Sequence, residues 1–195
     1  MSQNWYSLVS SETPLDQGDI ITNCPVVSWR EGAIEIRGNM EAVRHLSEAI
    51  EVTQMDVVVM TQTCDLTQNK VRYVILCPHY ALSVYREAWE ASQRALEQVP
   101  TAKSWARHID HIAAGQIWNL ALLNAEEGED YQTEHRIVDF QEVLSLPREF
   151  LESWLSQEGQ PRLRLLPPYR EHLSQAFARF FMRVGLPTDI RKDWR

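Results

Sequence analysis

Residues 56 to 80 read DVVVMTQTCDLTQNKVRYVILCPHY, and two apolar runs within them, Val57 to Met60 and Val71 to Pro78, flank a polar connection. Both runs are short and rich in β-branched residues, which predicts strands rather than helix. Val57-Val58-Val59-Met60 shows no alternation of apolar with polar residues. A strand of that kind buries both faces, so it belongs at the centre of a sheet. The connection carries Thr61, Gln62, Thr63, Cys64 and Asp65. Polar side chains at the exit of a buried strand are where a rigid scaffold presents chemistry, and this connection is the expected binding loop.

Toward the N-terminus, Gly18-Asp19-Ile20-Ile21 opens another strand that runs to about Val27. Cys24-Pro25 interrupts it, and a proline inside a strand predicts an edge, an end or a bulge. Residues 1–16 read as a polar leader, leaving 17–195 as one domain. Trp29 to Arg37 suits a hairpin turning at Glu31-Gly32. Met40 to Ile50 has the spacing of a short helix, with Val43, Leu46, Ala49 and Ile50 on one face.

Toward the C-terminus, two helical patterns, Ser83 to Val99 and Thr101 to Ala114, form an insertion at about 81–115. Strand signals resume at Ile117 to Leu123, His135 to Phe140 and Glu142 to Leu146, and Arg148 to Leu155 reads as a short helix. Arg162 to Leu166 alternates as a strand before Pro167-Pro168. An amphipathic helix then runs from Tyr169 to Val184, with Leu173, Ala176, Phe177, Phe180, Phe181 and Val184 facing inward. The sum is an α+β fold.

The chain has 195 residues, enough for a substantial core, and a net charge of −8. That charge argues against a broad basic surface for phosphate backbones. Its three cysteines, Cys24, Cys64 and Cys77, lack the spacing of a disulfide framework, and an odd number leaves one unpaired. No segment has the roughly 18 apolar residues of a membrane span, and there is no signal-peptide pattern. A cytoplasmic location with reduced thiols is the simplest expectation.

Three constellations bear chemistry. Cys24, Cys64, Cys77 and His79 together supply the four nitrogen and sulfur ligands of a zinc site, although their spacing is not of the close paired kind. Cys64 is also a candidate nucleophile if His79 or His135 lies within hydrogen-bond reach. Finally, a histidine's ordinary near-neutral pKa would suit His79 to act as general acid or base, and Arg72 has the charge to stabilise a phosphorane. His108 and His111 share a helix face without the surroundings of a metal motif.

The order of these pieces resembles the MazF/PemK-like toxin family, a small SH3-like barrel with a C-terminal helix. The likeness is carried by Gly18-Asp19-Ile20, by Val57 to Gln62, by Val74 to Pro78 and by Arg164-Leu165 through Gly185-Leu186. It implies a small SH3-like, PemK-like β-barrel holding the helical insertion, in a bacterial toxin–antitoxin setting. Met55-Asp56 stands where that family has an arginine-proline step, and His79 where its catalytic hydroxyl follows the proline. The helices from Ser83 to Ala114 have no counterpart in the small toxins. The TQTCDL connection is similar to one in uncharacterised bacterial proteins.

These readings give three expectations in order. The first is a non-enzymatic binding or regulatory module with a protein partner. The second is an endoribonuclease acting on RNA through His79 and Arg72. The third is a zinc-binding protein.

Overall fold

The computed structural model describes residues 4–30 and 49–182. The turn expected at Glu31-Gly32, the helix expected from Met40 (but for Ala49 and Ile50) and the end of the last helix lie outside the described residues. Ile50 itself begins a strand.

The central expectation holds. Strand β1 (Tyr6–Val9) is followed by β2 (Asp19–Trp29) and β3 (Ile50–Val59), and β2 and β3 pair antiparallel. A bulge falls between Ile21 and Cys24, where Asn23 adopts φ 53°, and it admits Pro25 into the strand. Helix α1 (Thr63–Thr67) occupies part of the connection expected to be a loop, and leads to β4 (Tyr73–Ala81). Helices α2 (Leu82–Ala95) and α3 (Ala102–Ala113) form the expected excursion. Thr101 caps α3, accepting from the Ser104 amide while the Ser104 hydroxyl accepts from the Thr101 amide. Next come β5 (Leu120–Leu123), the short pair β6 (Glu126–Glu127) and β7 (Gln132–Thr133), then β8 (Arg136–Asp139) and β9 (Leu144–Pro147). Helix α4 (Arg148–Glu158), β10 (Arg162–Leu165) and α5 (Tyr169–Phe181) complete the order.

The main sheet runs β1-β10-β2-β3-β4-β8-β5, with β9 also paired to β4. Helix and strand take 35% and 34% of the described residues, so the protein is mixed α and β, and its mostly antiparallel sheet does not close into a barrel. Its two ends nevertheless approach one another. The Tyr6 hydroxyl donates to the Asn124 carbonyl at 2.8 Å, and the Trp5 amide to Glu126 Oε2 at 2.6 Å. The gap between β1 and β5 is bridged by side chains rather than by a strand ladder.

The segment expected to be a leader contains β1. Tyr6 is buried, and β1 pairs with β10 from Tyr6 opposite Leu165 to Val9 opposite Arg162. Leu15 joins the core as well.

Both faces of β3 are covered, as an unbroken valine run requires. Val57 and Val59 pack on one side with Ile21, Leu76 and, from α4, Leu151 and Leu155. Val58 and Met60 pack on the other with Phe140, Leu165 and, from α5, Leu173, Phe177 and Phe180. A third cluster joins α2 and α3 to the sheet through Ile112, Leu120 and Ile137.

Gly18 shows why the Gly-Asp step is needed. Its φ is +82°, and an added Cβ would lie 2.9 Å from the Cβ of Leu165. Only glycine tolerates both the left-handed backbone and the approach of β10. Asp19 then turns a fully buried carboxylate toward Arg162 and Arg164.

Candidate functional site

The polar connection leaves β3 at Met60. Its first residue, Thr61, is buried, and its hydroxyl accepts from the Ile75 amide at 2.7 Å, tying the exit of β3 to β4. Gln62 precedes α1 without capping it through its side chain. Thr63 Oγ1 is buried without a hydrogen bond among the described residues. The far end of α1 is held by Arg148, which donates to the Leu66 carbonyl at 2.8 Å and to Asn69 Oδ1 at 3.1 Å. Most of this connection is therefore anchored to the scaffold.

Cys64 is exposed. Its Sγ lies 3.7 Å from Gln62 Oε1 and 3.8 Å from Asp65 Oδ1, and neither neighbour is the imidazole a thiol nucleophile uses. Cys24 and Cys77 are both buried, but in the cores on opposite faces of the sheet. Burial pushes each thiol up to about 12, as for inert structural cysteines. The four residues expected as zinc ligands are thus not brought together. Among the described residues no group of three or more histidine, cysteine or acidic side chains is placed to hold a metal.

His79 is 1% exposed, directly across β4 from Asp56 on β3 given the pairing of Val57 with Pro78. Arg136, from β8, joins the two: its Nη1 donates to Asp56 Oδ2 at 3.1 Å and lies 3.2 Å from His79 Nδ1. A guanidinium only donates, so Nδ1 accepts and Nε2 carries the proton. Nε2 is buried with no hydrogen bond among the described residues. Burial, and then the Arg136 charge, hold the imidazole far below its ordinary value, while Asp56 pulls weakly the other way. At neutral pH His79 is a neutral ring sealed inside a polar cluster.

Arg72 stands just before β4, exposed, with its guanidinium 5.9 Å above the Tyr73 ring. Seven residues of extended chain, about 23 Å, separate it from His79. It lines a cleft of about 530 Å³ with Lys70, Tyr73 and Arg148. The pair expected to cleave RNA does not share a site. His135 Nδ1 accepts from the Ala125 amide at 3.0 Å and serves the turn after β5. His108 belongs to an aromatic cluster between α2 and α3, 2.9 Å from the Tyr85 hydroxyl.

Two features escaped sequence reading. One is the ion cluster of Asp19 with Arg162 and Arg164, in which Asp19 lies more than 140 residues from both arginines. The alternation Arg162-Leu163-Arg164-Leu165 was the available signal, since it puts both guanidinium groups on one face of β10. The other is a groove of about 310 Å³ between β5, the end of α3 and α5, lined by Trp5, Ile112, Leu122, Tyr169, His172 and Arg179. No sequence signal marks it, because its walls come from four separate segments.

No known family model matches the chain, and no curated protein matches it closely enough to count as a relative.

Proposed function

We propose that the protein is a non-enzymatic binding or regulatory module of a bacterial conflict or regulatory system, on a sheet distantly related to the PemK-like barrel. The observation that carries this reading is the enclosure of His79. The imidazole offered by sequence as acid or base is buried, neutral and hydrogen-bonded to Arg136. Catalysis needs its groups within hydrogen-bond reach of a substrate, and Arg72 lies far along the strand.

Exposed apolar surface supports the same reading. Val27 pairs with Val52 and Trp29 with Ile50 across the outer part of the β2–β3 ribbon. All four are exposed, Trp29 by 59% and Val52 by 74%. Clustered exposed apolar residues commonly mark interaction surfaces. The relation to PemK-like barrels is supported by the succession of β2, β3 and β4 and by the closing strand and helix, β10 and α5.

Affinity capture on the full chain tests this. A stoichiometric protein partner is expected, and a mixed RNA pool should remain intact from pH 5 to 8. A monodisperse monomer that retains no partner would sink the proposal. The endoribonuclease remains the second reading, favoured by the cluster of Lys70, Arg72 and Arg148 around one cleft. RNA cleavage abolished by Arg72→Ala would establish it instead.

A further inference from the structure

The outer edge of β5 faces the groove beside α5. Within the pairing of β5 with β8, the Phe140 amide donates to the Asn119 carbonyl, so Asn119 and Phe140 are a hydrogen-bonded pair. The register continues through Ala121 opposite Val138 and Leu123 opposite Arg136. Antiparallel pairs alternate, so Ala121 and Leu123 turn their main-chain groups toward β8. Leu120, Leu122 and Asn124 turn theirs outward.

Two of the outward positions are partly used. The Leu120 amide donates to the Ile117 carbonyl, and the Asn124 carbonyl accepts from Tyr6. The Leu120 carbonyl and both main-chain groups of Leu122 face the groove. Such a row, at strand spacing, is matched by the main chain of another extended segment.

The groove walls specify more. Ile112 and Ala113 form one side, Leu173 and Ala176 the other, and Trp5 stacked on Tyr169 at 3.9 Å closes one end. Arg179 lines the groove from α5 and has no carboxylate partner among the described residues. His172 lies two turns earlier on the same face of α5. The site is thus apolar with positive charge on the α5 side, inside a chain whose net charge is −8.

We infer that this groove binds an extended peptide segment of a partner protein, added as a strand to the outer edge of β5, with alternate aliphatic side chains in the groove and an acidic side chain on Arg179. This deepens the binding-module reading and rests on it. The added strand would occupy part of the gap between β5 and β1 that side chains now bridge.

The test selects a displayed library of random twelve-residue peptides on the intact protein. Enriched peptides should carry alternating aliphatic residues with aspartate or glutamate. Their binding should slow hydrogen exchange at the Leu122 amide and weaken at least tenfold in Arg179→Glu. Leu122→Pro removes the outward N–H, where an edge strand tolerates proline, together with a side chain packed against Ile112, Leu120 and Ile137. It should weaken binding well beyond Leu122→Ala, which loses the same packing but keeps the N–H. N-methylation of the peptide amides that face β5 should abolish binding, and methylation of the alternate amides should not. Peptides that protect Trp29 or Val52 instead would overturn the groove but leave the binding-module reading standing. No enriched peptide, together with no captured protein, would overturn both.

Discussion

Asp19 keeps a carboxylate without exposed surface between two guanidinium groups, with Arg162 Nε 2.8 Å from Oδ2 and Arg164 Nε 2.5 Å from Oδ1. Arg162 also donates to the carbonyls of Ser10, Thr13 and Pro14. Removing one member of a buried ion pair strands the other charge and costs about 3–5 kcal/mol. Asp19→Ala is expected to lower unfolding free energy by about that amount in urea titration, more than any single exposed pair such as Arg86–Glu90 contributes.

His79 makes a second prediction, with a definite sign. Its folded pKa is depressed by burial and by Arg136, so below the ordinary value of about 6.5 the unfolded chain takes up a proton that the folded ring refuses. The stability due to neutral His79 is present in full above about pH 6.5 and is lost as pH falls, with a slope approaching ~1.4 kcal/mol per pH unit. In His79→Gln that part of the slope should vanish from urea midpoints measured between pH 4.5 and 7.

At the scale of the element, β3 offers a direct comparison along one strand. Val57 and Val58 are fully buried on opposite faces, whereas Val52 is 74% exposed. Replacing a buried valine by threonine places an unpaired hydroxyl in an apolar site, at about 1–3 kcal/mol. Val57→Thr and Val58→Thr should both incur that loss, while Val52→Thr stays within about 0.5 kcal/mol of the parent. A strand with only one buried face would lose stability at one of the two central positions only.

The elements that sequence made legible were those whose local pattern and tertiary role agree. The valine run, the helix beginning at Thr101 and the inward Leu173, Phe177 and Phe180 of α5 are of this kind, whereas Phe181, expected on the same face, is 57% exposed. Helix α1 reads as a loop in the sequence because Thr63–Thr67 is too short to display a helical period. The sequence of β1 does not announce a strand, because its four residues become one only through β10, which lies far along the chain. The burial of His79 depends on Asp56 and Arg136, each on a different strand, and no spacing announces such a meeting.

At the scale of the whole molecule, the N-terminal segment is a structural part of the sheet. Tyr6 is buried in the core shared with α5, and its hydroxyl crosses to Asn124. Tyr6→Phe keeps the ring and removes that bond, for which a loss of about 0.5–1.5 kcal/mol is expected. Tyr6→Ala empties a core position as well and should cost about 3–5 kcal/mol. Calorimetry of the two variants separates the bridge from the packing.

The grip of Arg162 on Asp19 also bears on how the chain is born. A ribosome delivers Asp19 long before the arginines that neutralise it, and an unpaired carboxylate resists entering an apolar interior. The amino end therefore waits, with Ile20 and Ile21 uncovered, until β10 has emerged to seal it.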